Sequence, residues 1–164
     1  MQTTRIDLLQ RMPIFGAIRD DALQLLLEHA QEVTVPAGSY FFLEHDPADS
    51  MFVLEAGRAS VIKTWLRQDF VLHDLGVGDC FGEMALMDLS PRSASVRADA
   101  DCQAIELGAG DLLNLFEHDI EQVALIQMNI GREVCRRLRA TDELLFRMTM
   151  GDASAQPQAL FRAA

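Results

Sequence analysis

The chain holds 164 residues, 49% hydrophobic and 24% charged, which suits one packed domain with an appendage and is too apolar for a disordered chain. A formal net charge of −11 excludes a general basic footprint for duplex nucleic acid. No window reaches the ~18 apolar residues that span a bilayer, Met1–Arg11 carries no secretory pattern, and three scattered cysteines (Cys80, Cys102, Cys135) fit reduced thiols in a cytoplasm.

Residues 1–30 read as an N-terminal helical segment, with Ile6, Leu8, Leu9 and Met12, then Leu23, Leu25, Leu26 and Leu27 at mixed three-to-four spacing. Pro13 and Gly16 cut it into two pieces, and Asp20-Asp21 sit where a second helix would start. Residues 31–110 read as strands. β-prone runs recur at 32–35, 39–43, 51–54, 59–65, 69–75, 94–98 and 102–107. Pro36-Ala37-Gly38, Asp46-Pro47, Glu55-Ala56-Gly57, Gly76-Val77-Gly78-Asp79 and Ser90-Pro91 stand between them. Short strands at roughly ten-residue spacing predict an α+β chain built on an antiparallel roll or jelly roll of about eight strands. Ala94, Val96 and Ala98 alternate with Ser95, Arg97 and Asp99, so this run should bury one face.

Residues 111–150 return to helix. A short piece carries Leu112, Leu113, Leu115 and Phe116. A longer one, from Asp119 to Met150, places Val134, Leu138, Thr141, Leu145 and Met148 at steps of 4, 3, 4 and 3, an a/d seam that predicts a homodimer through residues 117–150. Gly131 interrupts it at a cost of about 1 kcal/mol relative to Ala, and a close helix crossing would account for it. Residues 151–164 are expected to be a flexible tail. Charge is uneven. Residues 1–115 carry eight Lys/Arg against eighteen Asp/Glu, whereas Arg132, Arg136, Arg137, Arg139 and Arg147 face only Glu133, Asp142 and Glu143. That basic cluster reads either as a solvated helix face or as ligand and partner contacts.

Chemistry concentrates in residues 81–96: Phe81-Gly82-Glu83-Met84-Ala85-Leu86-Met87-Asp88-Leu89-Ser90-Pro91-Arg92-Ser93-Ala94-Ser95-Val96. A strand end, a glycine and a short helical turn expose unpaired backbone N–H groups, and an arginine returning to the same place adds a bidentate donor for phosphate oxygens. Glu83 would repel a bare anion but suits a ligand that also offers hydroxyl donors. A surface loop closed by a Glu83–Arg92 ion pair is the alternative on residue types alone.

The runs Phe81–Leu86 and Pro91–Val96 closely resemble the phosphate-binding cassette of cyclic-nucleotide-binding domains, the family of catabolite-activator and protein kinase A regulatory domains. Met12-Pro13-Ile14-Phe15 resembles that family's N-terminal helical motif, and Pro36-Ala37-Gly38 and Leu54–Arg58 resemble its turns, so the likeness covers about residues 5–150. It implies a non-enzymatic sensor for cAMP, with cGMP possible. Arg92 and Ser93, with the backbone at Met84 and Ala85, would hold the cyclic phosphate; Gly82 and Glu83 would take the ribose. Val61 and Leu72, with Met84, would wall sugar and base. On the long helix, Arg137 and Thr141 would face the base, and Asp142 stands where the catabolite-activator group has a serine reaching across the dimer. His45 stands where the family usually has glycine. About fourteen residues follow the long helix, too few for a helix-turn-helix, so DNA binding is not expected and an unidentified downstream protein is the implied target. An interaction module that has lost its ligand and a truncated transcription regulator remain as alternatives. The four histidines lie too far apart for a zinc site, the three cysteines do not cluster for an iron–sulfur centre, and no nucleophile–base pair stands out.

Overall fold

A computed structural model describes residues 2–151. Helix α1 (Gln2–Gln10), a single 3-10 turn (Pro13–Phe15) and helix α2 (Asp20–His29) precede strands β1 (Gln31–Val35), β2 (Tyr40–Phe42), β3 (Ser50–Ala56), β4 (Ala59–Trp65) and β5 (Gln68–Leu75). There follow β6 (Cys80–Phe81), α3 (Met84–Asp88), β7 (Ser95–Ala98), β8 (Cys102–Gly108), α4 (Ala109–His118) and α5 (Ile120–Thr149). The eight strands form two antiparallel four-stranded sheets, ordered β1-β8-β3-β6 and β2-β7-β4-β5, which is the expected roll. Except for Gly151, the tail expected over residues 151–164 lies outside the described residues.

The burial of β3 explains the double role of its sheet. Ser50–Leu54 are all buried, so this is not a half-wet strand. Successive side chains point to opposite faces. Met51 and Val53 join a core with α1, α2, α4 and α5, while Phe52 and Leu54 join a second core between the sheets with Val61, Phe81, Val96 and Ala98. The first sheet therefore carries helices on one face and the second sheet on the other. In β7, Ser95 is buried as well as Ala94 and Val96, because its Oγ accepts the Glu44 N–H at 2.8 Å. The expected wet face is wet only from Arg97 onward.

Helix α5 is pinned to the N-terminal helical segment by polar groups. Asn129 donates from Nδ2 to the carbonyls of Ile14 (3.1 Å) and Gly16 (2.9 Å), and Gln122 Oε1 accepts the Arg19 N–H at 2.9 Å. Val123, Ile126 and Ile130 form its inner row. Val134 continues that row one turn later and packs on the chain's own core, so it leaves the predicted seam. The uncovered stripe instead holds Met128, Cys135, Leu138, Leu145 and Met148, all exposed. A Cβ added at Gly131 would meet nothing within 4 Å. Among the described residues nothing therefore requires glycine there.

Candidate functional site

A cavity of about 140 Å³ opens between β4, β5, the segment from Cys80 to Ala94, and α5. Gly82 turns the chain at its edge with φ 79, and a Cβ there would stand 2.5 Å from Arg92 Nη1. Only glycine both adopts that backbone and lets the guanidinium pass. The chain then enters α3, which ends at Leu89 in a left-handed conformation (φ 54) and returns through Pro91 to Arg92.

Arg92 is buried at 6% exposure. Nη1 donates to the carbonyls of Ser50 (2.7 Å) and Gly82 (3.1 Å), Nη2 donates to Ser50 Oγ (3.0 Å), and the guanidinium lies 4.0 Å over the Phe42 ring. Among the described residues no carboxylate forms an ion pair with it, and Nε has no hydrogen-bond partner. Burial pulls its pKa below the ordinary value, and the charges of Glu106, Asp49, Asp46 and Glu83 oppose that shift without reaching it. The Glu83–Arg92 ion pair of the alternative, ligand-free reading is not formed: Glu83 pairs with Arg137 instead.

Glu83 is 2% exposed and pairs with Arg137 Nη1 of α5 at 2.5 Å. Arg137 Nε also donates to Glu133 at 3.2 Å, and Glu133 pairs with Arg136. Burial disfavours the Arg137 charge, but Glu83 and Glu133 outweigh it, so its pKa is raised. Around the rim, the Met84 and Ser93 N–H groups make no backbone or side-chain bond among the described residues, while Ala85 N–H reaches the Gly82 carbonyl at 3.3 Å. Met84 and Ser93 are exposed at the mouth, 4.0 Å apart from Sδ to Oγ.

Of the residues singled out in the sequence, Val61, Gly82, Glu83, Met84, Ala85, Arg92, Ser93 and Arg137 line this one cavity. Leu72, Thr141 and Asp142 do not. Leu72 packs against the inter-sheet core instead. The cause is a β-bulge: Val61 pairs with His73 and Ile62 with Val71, so Leu72 is an extra residue and the next one, His73, takes the wall position. Thr141 is exposed on α5 and back-bonds to the Arg137 carbonyl at 2.9 Å; Asp142 is exposed beside it. Sequence reasoning missed His73, Cys80 and Phe42. The alternating strand pattern gave no sign of the bulge. Burial holds the His73 pKa down to about 4, with the Arg137 charge adding to the shift, and raises that of the Cys80 thiol, so both are neutral near pH 7. His73, Cys80 and Arg137 also line a second cavity of about 120 Å³ beside Met12, Ile14 and Glu133, and so form the partition between the two. Among the described residues no three His, Cys, Asp or Glu gather as a metal site, and no helix is long and apolar enough to cross a membrane.

Residues 32–119 match the cyclic nucleotide-binding domain family. The cyclic AMP receptor protein of Thermus thermophilus is 31% identical over 131 residues, covering 79% of this chain and 59% of that protein. The cAMP-dependent protein kinase regulatory subunit of Emericella nidulans is 31% identical over 100 residues, covering 61% of this chain and 24% of that protein. This chain therefore spans about three-fifths and one-quarter of the two relatives. The crystal structure of the Thermus thermophilus catabolite activator protein superposes with a TM-score of 0.74 at 30% identity, covering 84% of this chain and 63% of that one. With its roll and its family match in agreement, the chain belongs to the cyclic nucleotide-binding domain family.

Proposed function

We infer that the protein is a cAMP-binding sensor domain of the cytoplasm, without catalytic activity of its own, that works as a homodimer through residues 117–150 and passes ligand state to a downstream protein. The observation that carries the reading is Arg92: a buried guanidinium with no carboxylate partner among the described residues and with its Nε N–H unused, in a cavity whose rim offers further unbonded N–H groups. A buried cation without a counter-charge is costly, and an anion that accepts its hydrogen bonds relieves that cost. The cyclic phosphate is that anion, received by Arg92, the Ser93 hydroxyl and N–H, and the Met84 N–H.

Glu83 supports a nucleotide over free phosphate. Its Oε1 accepts from Arg137, and its other oxygen would accept from the ribose 2′-hydroxyl. That same ion pair gives the sensor its lever. Arg137 belongs to α5, so a ligand that binds Glu83 acts on the group holding the helix, and any difference in affinity between helix positions shifts their populations. Val61, Met84 and His73 would wall the sugar and base. Calorimetric titration tests the reading. It expects about one cAMP per chain with micromolar or tighter affinity, and little binding of linear AMP. A protein that binds neither cAMP nor cGMP, after unfolding and refolding to remove any carried ligand, is not a cyclic-nucleotide sensor.

A further inference from the structure

A polar cluster outside the cavity grips the chain on which the phosphate contacts sit. Lys63 of β4 donates from Nζ to the Ser93 carbonyl at 2.7 Å and pairs with Glu44 Oε1 at 2.5 Å. The Glu44 side chain is only 15% exposed, in the loop between β2 and β3. That loop runs alongside the return of the cassette. The His45 N–H donates to the Arg92 carbonyl at 2.9 Å, the Arg92 N–H donates to the Asp46 carbonyl at 2.9 Å, and the Glu44 N–H donates to Ser95 Oγ at 2.8 Å. His45 adopts φ 73 to make this approach, and Asp46 closes the turn by accepting the Leu43 N–H at 2.8 Å.

In a trans peptide the C=O and N–H point in opposite directions. The bond from His45 to the Arg92 carbonyl therefore aims the Ser93 N–H away from the brace, and the bond from Lys63 to the Ser93 carbonyl does the same for the Ala94 N–H. Ser93 and Ala94 both line the cavity. Lys63 and Glu44 do not line it.

The geometry points to Lys63 and Glu44 as positioning residues for the anion end of the site: the ammonium, held by the carboxylate, fixes the Ser93–Ala94 peptide so that successive N–H groups and the Arg92 side chain meet one phosphate. The inference rests on the cyclic-nucleotide reading above and adds to it two residues that touch no ligand. Positioning differs from simple attraction in a way that can be measured. If Lys63 acted only through its charge, its removal would weaken an anion and removal of the Glu44 charge would tighten it. If the pair acts by holding the peptide, both removals weaken binding.

The experiment titrates cAMP, and separately its two phosphorothioate diastereomers, into the whole protein and into Lys63→Met, Lys63→Arg and Glu44→Met, with melting curves of each. The expected result is a loss of about tenfold in both Lys63→Met and Glu44→Met, the scale of one charge-assisted hydrogen bond. The diastereomer ratio should move toward one in both, and Lys63→Arg should recover most of the affinity. Tighter binding by Glu44→Met, or an unchanged diastereomer ratio in Lys63→Met, overturns the positioning role while leaving the site intact. A parent protein that binds no cyclic nucleotide overturns the site itself, and this proposal with it.

Discussion

The cavity has an arginine at each end, and the two keep different company. Arg92 comes from the segment between α3 and β7, is almost wholly buried, and among the described residues meets carbonyls, a hydroxyl and an aromatic face but no carboxylate. Arg137 comes from α5, some forty-five residues later, is a third exposed, and meets two carboxylates, Glu83 and Glu133. The first arrangement is poor for stability and good for catching an anion; the second is a structural tie that also touches the site. A group left uncompensated in the fold marks a ligand contact more clearly than a satisfied one, because binding sites trade stability for function.

Replacing each arginine in turn should separate the two roles. Arg92→Met should lose about 3 kcal/mol of cAMP affinity or more, since two charge-assisted bonds go at once, while its melting curve without ligand moves by less than about 1 kcal/mol. Arg137→Met should do the reverse on stability. It leaves the buried Glu83 without its cation while Glu133 keeps Arg136, and a loss of about 2 kcal/mol follows even after allowing for the partial exposure of the pair. Denaturation and calorimetry on the same samples read both numbers. If both variants melt alike, the contrast between the two ends is wrong.

The second way to sharpen the comparison concerns α5 beyond Arg137. Leu138 and Leu145 are 58% and 62% exposed on a 30-residue helix whose inner row is already in use. An apolar stripe of this kind needs a partner, and in a twofold pair each residue of the seam is buried twice. Sedimentation should find a dimer in the parent, and Leu138→Asp should weaken it by about 2 kcal/mol or more by placing carboxylates in the seam. A parent that sediments as a monomer at high micromolar concentration removes the seam. The base end of the cavity would then be complete within one chain.

How much of this could be read in advance follows the same division. The proposed anion end lies within sixteen consecutive residues, Phe81 to Val96, so its parts are visible as one motif, and Gly82, Glu83, Met84, Ala85, Arg92 and Ser93 all line the cavity. Seven of the eight strands are visible as β-prone runs; β6 has two residues, too few to alternate. The base end is assembled from β4, β5 and α5, and its membership depends on register. The family resemblance points to Leu72 on β5, and the bulge opposite Val61 and Ile62 turns His73 into the cavity instead. In the same way a heptad count includes Val134 in the seam, whereas the fit of Ile126 and Ile130 to the core turns it inward. Phe42 beneath Arg92 and Lys63 behind Ser93 gave no signal, because a ring under a cation or an amine on a carbonyl has no pattern in one dimension.

The smallest effect is expected at Asp142, which is exposed one turn beyond Leu138 and lines neither of the two cavities described above. Its role depends on the dimer: in a twofold pair with the seam along Leu138 and Leu145, its carboxylate would face the base held by the other copy. Adenine presents an N6 amino donor at that edge, and an ionised carboxylate only accepts. Guanine presents a carbonyl there, so two acceptors would meet with no proton between them, at a cost of about 1–3 kcal/mol. The competing arrangement is a surface pair with Arg139 or Arg147 on the same helix, which would be worth only a few tenths of a kcal/mol and would read nothing. Taking the low end, because an exposed helix end is partly solvated, cAMP should be preferred over cGMP by roughly tenfold in the parent. Asp142→Ala should lose that preference with the affinity for cAMP changed less than threefold, since the anion end is untouched. Competition of the two nucleotides against a fluorescent analogue measures both quantities. An unchanged ratio in the variant assigns Asp142 to the solvated face and leaves base selection to His73, Val61 and Arg137, within one chain.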